Sequence, residues 1–419
     1  MSSGKHILII GGGVIGLCSA YYAARQGHRV TVIDREAADH EGCSYGNAGM
    51  IVPSHFVPLA APGMVALGLK WMWNPASPFY IKPRLSRDLL SWSWKFWRAA
   101  NSEHVRRSAP LLRDLNLASR ACFEQLADLP GNDFELVKKG LLVLCKTQHR
   151  LAEEAKTAER ARQLGVPAEV LDAKQTAALD PNVRMDVAGS IYFPKDCHLS
   201  PNRFMAALKR QLQLEGAHFS WETEVTGWRV DGARIESAQT AKGEFSADEF
   251  VLCCGAWSPV VARDLRLNLP MQAGKGYSLT LSKPRQLPQV CAIFTEARVA
   301  ATPMGNTLRF GGTMEIAGVN EEINPVRVQG IIKSVPKYYP DFTPQDFDGV
   351  QPWLGLRPCS PDGLPYIGRT ARYSNLCLAT GHAMMGLSLG PITGRLIAEI
   401  LSDETPSIQI GLLNPDRYA

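Results

Sequence analysis

No C-x-x-C pair occurs among the ten cysteines of this 419-residue chain, and no His, Cys, Asp or Glu group has the spacing of a metal site. Cys253 and Cys254 are adjacent, which suits neither zinc ligation nor a relaxed disulfide. The thiols are expected to be reduced and mostly buried. A strong charge imbalance is also missing. Lys plus Arg number 45 against 40 Asp plus Glu, too small a surplus to argue for a nucleic-acid partner. The most weakly polar stretch, 56–69, is short and broken by Pro58, Pro62 and Gly63, so it does not read as a bilayer span. There is no internal repeat and no low-complexity tract. The first strand begins within six residues of the start, without a signal-peptide pattern, and a cytoplasmic protein is expected.

What is present is a globular composition, 45% hydrophobic and 20% charged, in a chain long enough for two domains or one large composite. Near its start, an apolar strand (His6 to Ile10) runs into Gly11-Gly12-Gly13-Val14-Ile15-Gly16. A helical run closed by Gly27 follows, then a second strand ending on Asp34. This is the dinucleotide fingerprint in its proper context. Gly11 allows the turn, Gly13 lets a pyrophosphate approach the backbone, and Gly16 lets the helix pack on the sheet. The helix N-terminus offers N–H groups to phosphate, and Asp34, with Arg35 beside it, stands where a ribose hydroxyl would bind. The motif alone does not separate FAD from NAD.

A second small-residue loop, Ser44 through Asn47, Ala48, Gly49 and Met50, follows the ribose-binding strand, where an extended FAD would continue toward its flavin. A nicotinamide enzyme has no need of it. Five of the nine tryptophans fall between Trp71 and Trp97, interleaved with Lys and Arg. Such a segment suits peripheral contact with a membrane, here the inner face, or packing against a core or partner. Helices are expected over 108–128, 151–165 and, from N-cap Ser200 and Pro201, to about 214. Strands are expected over 134–144 and 218–225, and short hairpin strands over 270–320, with a polar loop at 341–348. Further along, 249–258 (with Gly255 and Trp257) and, near the C-terminus, 376–382 each run from a strand into a glycine turn, the latter at Gly381-His382. A helix over 384–401 ends the unit. Both ends of the chain are therefore expected to build one cofactor domain, with the middle inserted.

These stretches resemble the FAD-dependent amine and amino-acid oxidoreductases, the group of D-amino-acid oxidase, glycine oxidase and sarcosine oxidase, and most of all the bacterial D-amino-acid dehydrogenases. The matches are the fingerprint, Asn47-Ala48-Gly49, Lys275-Gly276-Tyr277-Ser278, Gly311-Gly312, Gly355-Leu356-Arg357-Pro358 with Pro361-Asp362-Gly363, and Thr380-Gly381-His382. The resemblance implies an α/β fold: a Rossmann-type FAD-binding domain (1–55, 196–265 and 351–419) with an interleaved substrate domain (56–195 and 266–350) on a mixed, largely antiparallel sheet. It implies that Val225 lies at the adenine, that Gly381, His382, Gly386, Leu387 and Ser388 form the flavin turn, and that Arg357 holds a substrate carboxylate. Cys359 is not where covalent flavin attachment would require it, so non-covalent FAD is expected.

The chemistry so implied needs few groups. A Cα–H must face the flavin, the amine must be neutral, and the carboxylate must be anchored. Arginine's planar fork suits that anchor. Tyr277 is placed either at the carboxylate or in packing. His55 is placed either at the substrate or in a structural role. The leading expectation is an FAD-dependent dehydrogenase of D-amino acids, with a small or cyclic substrate such as D-proline or a hydroxy-D-proline, passing electrons to a quinone or other acceptor. The alternatives are an oxygen-using glycine or sarcosine oxidase and a non-catalytic FAD subunit of an electron-transfer assembly.

Overall fold

The computed structural model describes residues 4–72, 79–82, 84 and 86–419. Strand His6–Ile10, helix Val14–Arg25 and strand Arg29–Ile33 form the opening unit. The first strand is apolar without alternation because both faces of its sheet are covered. That sheet has six strands, in the order Tyr366–Arg369, Leu376–Thr380, Glu249–Leu252, His6–Ile10, Arg29–Ile33, His218–Ser220. All pairs are parallel except the one formed by the Tyr366–Arg369 edge. Three widely separated stretches of chain thus build one layer.

The last helix, Gly386–Leu401, packs along the first helix. A Cβ on Gly394 would stand 2.4 Å from the backbone of Cys18, so the crossing is backbone on backbone. Within Ala383–Leu401 lies the one stretch, among the described residues, that is long and apolar enough to cross a bilayer. Here it is a core element between the first helix and the helix Ser102–Ala127.

A nine-stranded sheet makes the second layer. Its path is Trp353–Cys359, Gln272–Leu281, Thr307–Ile316, Val299–Met304, Cys291–Phe294, Leu141–Cys145, Gly189–Phe193, Glu169–Asp172, with Phe79–Ile81 beside Thr307–Ile316. Only two of its pairings are parallel. The fold is the mixed α/β architecture expected. Trp353–Cys359, expected in the cofactor part, is an edge strand of this second sheet, paired with Gln272–Leu281.

Several local expectations shift. Of 134–144 only the part within Leu141–Cys145 is strand, because the backbone leaves the extended region at Glu135 (φ +56°) and Gly140 (φ +78°). The stretch 218–225 breaks after Ser220, where Thr223 N–H turns back to Asp34 O at 2.7 Å. Two of the strands in 270–320 are long, ten residues each. The loop at 341–348 contains a 3₁₀ turn, Pro344–Phe347, closed by a Thr343/Asp346 capping box. Ser200 holds the N-cap backbone position, but its hydroxyl donates to Asn202 Oδ1 instead of capping. The last helix begins at Gly386. All ten cysteines are free thiols, and eight are buried.

The Pro361-Asp362-Gly363 turn is a structural anchor. The Arg417 guanidinium grips Asp362 through Nε (2.7 Å) and Nη2 (3.0 Å) and also lies 3.9 Å from the Tyr366 ring centroid. Burial alone would raise the Asp362 carboxyl, but Arg417 outweighs it and holds it below its ordinary value. That contribution is present above about pH 4 and fades as pH falls through the depressed value. Arg417→Ala strands a buried carboxylate and is expected to cost about 3–5 kcal/mol in urea unfolding. The same truncation at Arg162, on an exposed pair with Glu159, is expected to cost under about 1 kcal/mol.

Candidate active site

A cavity of about 820 Å³ runs from the carboxyl edge of the first sheet to the face of the second. Ligands of open α/β sheets bind at that edge. Gly11 takes φ +110°, and a Cβ there would stand 2.5 Å from Cys253 O. The first-turn N–H groups of Val14, Ile15 and Gly16 precede the first intrahelical bond, Leu17 N–H to Gly13 O. Gly13 faces open space, with Ser44 Oγ the nearest atom at 3.7 Å from its notional Cβ. Asp34 is locked in place, its oxygens accepting from Gly12 N–H (2.5 Å) and Glu36 N–H (2.9 Å). Each oxygen retains a lone pair for a hydroxyl. Arg35 lies 4.0 Å from the Trp257 ring centroid, and Val225 and Gly255 share this wall.

The loop after Ser44 is held from both sides. Ser44 Oγ accepts from Val14 N–H at 3.1 Å. Buried Arg309 donates to the carbonyls of Tyr45 (3.1 Å) and Asn47 (2.8 Å), and Ser278 Oγ donates to Gly46 O at 3.0 Å. Asn47, Ala48 and Met50 therefore present a fixed edge to the cavity, facing the N-terminus of the last helix at Gly386 and Leu387. This shape and donor set fit an extended dinucleotide whose phosphates lie on the first helix and whose ring lies between that loop and the last helix.

Some expected cofactor residues act differently. Gly16, Gly49 and Gly381 are not on the cavity wall. Each lets another group approach closely: Gly11 O, Leu199 O and the Tyr366 ring respectively. The Ser388 hydroxyl is spent, accepting from Val52 N–H (3.1 Å) and donating to Asn116 Oδ1 (2.8 Å). It positions the helix. His382 pairs Nε2 with Thr393 Oγ1 at 3.0 Å, and burial pushes it down to about 3, so it stays neutral. Its Nδ1 is buried and unpartnered.

At the far end stands Arg357. Its Nη1 donates to Thr313 O at 2.6 Å, and no ion pair to it occurs among the described residues. The guanidinium lies flat over Gly276, where a Cβ would sit 2.2 Å from Nη2. A cation without an acid inside a cavity wall is costly, and burial lowers its pKa. That fits a site for an anionic ligand group.

Of the two roles expected for Tyr277, the structure favours packing. Side chains alternate along a strand, so with Gly276 and Ser278 facing the cavity, the Tyr277 ring enters the core of the second sheet. Its hydroxyl donates to Glu315 Oε2 at 3.1 Å and accepts from Asn324 N–H. Its hydroxyl is thereby spent on holding the strand. His55 does reach the cavity, and burial and then the nearby Arg298 push it down to about 4. Arg298, at φ +55° before its strand, and the Ser54–Asp196 pair behind His55 were not singled out in the sequence. No motif marks them; only the neighbouring Ser54-His55 polar pair in an apolar stretch hinted at a site.

The chain matches the family model described as FAD dependent oxidoreductase over residues 6–400. It is 34% identical over 424 residues to the D-amino acid dehydrogenase of Bradyrhizobium diazoefficiens, covering 99% of each chain. It is 33% identical over 421 residues to the protein of the same name from Agrobacterium fabrum, covering 99% of this chain and 100% of that one. Among solved structures, glycine oxidase from Geobacillus kaustophilus superposes with a TM-score of 0.79 at 23% identity, over the full length of both chains. That likeness is one of fold.

If Gly276 serves as the bed for the arginine, Gly276→Ala displaces Arg357. Binding of a small carboxylate, followed by perturbation of the flavin spectrum, is then expected to weaken by about 10-fold or more, roughly the worth of one charge-assisted hydrogen bond, with the flavin retained.

Proposed function

Because the chain belongs to the FAD-dependent oxidoreductase family, we propose that it is a dehydrogenase of D-amino acids carrying non-covalent FAD. The observation that carries this reading is Arg357, a guanidinium with no ion pair among the described residues, laid over Gly276 at the end of the cofactor cavity. The full-length identity to relatives named D-amino acid dehydrogenase supports it. Arg357 receives the substrate carboxylate through its planar fork. Bound flavin supplies the hydride acceptor. Two cations on one cavity wall, Arg357 and Arg298, disfavour an ammonium there and so favour the neutral amine whose lone pair assists loss of the Cα hydride. An acyclic imine then hydrolyses to a 2-oxo acid and ammonia, while a cyclic one remains an imino acid. The wall includes Met50, Leu59, Met64 and Met314, which suits an uncharged side chain and makes D-proline and a hydroxy-D-proline early substrates to assay.

The acceptor in this reading is a quinone or another carrier reached at a membrane. The helix Arg87–Ala99 buries Leu89, Trp92 and Phe96 and exposes Leu90, Trp94 and Trp97 at 63, 53 and 62%. Arg87, Lys95 and Arg98 border the exposed stripe, with Arg98 4.9 Å from the Trp94 ring centroid and Asp88 the helix's one acid. This polarity suits the headgroups of an anionic bilayer. The buried face packs with Leu59, Met64 and Phe79, which also line the cavity. The rest of the tryptophan-rich stretch, 73–78, lies outside the described residues.

Under anaerobic conditions D-amino acids are expected to bleach the oxidised flavin. A broad D-panel that leaves it oxidised removes the reading, and peroxide release in air would reassign it as an oxidase. Arg357→Ala is expected to raise KM by about 10²-fold or more with FAD still bound, the scale of a lost charged hydrogen bond. Sedimentation with anionic vesicles is expected to carry the protein down at low salt and to weaken with salt. Leu90, Trp94 and Trp97 all changed to Ser should abolish it.

A further inference from the structure

Behind His55 lies a hydrogen-bonded chain that the reaction as described does not use. His55 Nδ1 is 3.2 Å from Ser54 Oγ. Ser54 Oγ donates to Asp196 Oδ2 at 2.5 Å, and Ser54 N–H donates to Asp196 Oδ1 at 3.1 Å. Asp196 is fully buried, while His55 lines the cavity, where its Nε2 has no partner among the described residues. The chain therefore links a sealed carboxyl to one free nitrogen in the substrate space.

We propose that His55, Ser54 and Asp196 form a proton relay that draws the ammonium proton of the bound amino acid out of the cavity. This rests on the amino-acid reading above. With Asp196 ionised, the Ser54 hydroxyl donates to it, His55 Nδ1–H donates to Ser54 Oγ, and Nε2 presents a lone pair to the substrate nitrogen. The ammonium N–H bond breaks as its proton passes to Nε2, the Nδ1 proton passes to Ser54 Oγ, and the Ser54 proton passes to Asp196 Oδ2. One proton moves from ammonium to carboxylate, no electrons change hands, and His55 ends neutral with its hydrogen on Nε2. The same path runs backward once product leaves.

The surroundings suit this. Burial keeps His55 at about 4, assisted by Arg298, so the ring works as a neutral carrier rather than a charged acid. Burial pushes the Asp196 carboxyl up to about 7, against the opposing Ser54 hydrogen bonds and Arg120. Its other titratable neighbours are the thiols of Cys197 and Cys291, both buried and pushed upward. A terminal acceptor near the working pH is the efficient one. Asp196 binds its proton below about pH 7, which sets Nε2 as a donor and shuts the relay. Above that it opens.

Substitutions separate the relay from a structural tie. In Asp196→Asn the amide oxygen still accepts from Ser54 N–H, but the amide N–H₂ must donate to Ser54 Oγ, which locks Nε2 as a donor at every pH. The holoenzyme is expected to show kcat/KM rising through about pH 7 with a D-amino acid. Asp196→Asn should lose that rise and fall at least about 10²-fold below the upper plateau, with KM little changed and the flavin spectrum intact. Ser54→Ala should match it, and His55→Gln should also lose the inflection. Independently of turnover, the ¹⁵N shifts of the His55 ring should exchange Nδ1–H for Nε2–H as pH falls through about 7. An unchanged pH profile in Asp196→Asn, or a His55 tautomer constant from pH 6 to 8, overturns the relay. Flavin reduction by D-amino acids in the same preparations tests the amino-acid reading separately.

Discussion

Two helices from opposite ends of the chain cross where one of them has no side chain. Gly394 of the last helix meets the backbone of Cys18 on the first. Packing that close aligns both helices on the same sheet, and it turns both N-termini toward one cavity. The first presents Gly13, Val14 and Ile15 to the cavity. The last faces the loop at Asn47 to Met50 from Gly386. The cavity between them is thus bounded by elements from both ends of the chain.

The second layer completes the site by leaving a charge open. Two half-buried arginines of the C-terminal part, Arg417 and Arg357, are treated oppositely. Arg417 is closed by Asp362 in a two-bond grip, and the pair serves stability. Among the described residues Arg357 donates only to the Thr313 carbonyl, and it lies on a glycine. A buried cation so little compensated is unfavourable until an anion arrives, which is how a binding site differs from a structural bridge. Its rigidity comes from the neighbouring strands: Gly274 to Ser278 are in register with Trp353 to Arg357, and Arg309 and Ser278 from the same sheet hold the flavin-side loop.

Much of the cofactor half was legible in the residues. Strand, glycine turn, helix, strand and Asp34 follow one another within a short stretch, so local rules place them, and the strand-to-glycine turns near 255 and 381 carry the same signature. The substrate half was legible mainly through family likeness, which pointed to Arg357. Tyr277 was left open between the carboxylate and packing, and strand parity, which sends its ring into the core while Gly276 and Ser278 face the cavity, favours packing. Gly16 packs closely on the strand side as its place in the fingerprint implies, whereas Gly49 and Gly381, read as ligand contacts, serve close approaches of backbone and side chains that no linear pattern displays.

The order of residues alone determined that a dinucleotide turn opens the chain, that an FAD-type second loop follows, and that one late arginine stands in a glycine–proline frame. Tertiary structure decided which of these groups meet. It set Arg357 over Gly276, spent the hydroxyls of Ser388 and Tyr277 elsewhere, and joined Asp196 through Ser54 to His55 across 140 residues of chain. The division has a physical cause. Turns and helix starts are fixed by the conformational freedom of a few consecutive residues, whereas a cavity's charges and hydrogen bonds depend on sheet register and burial, which arise only when distant strands pair.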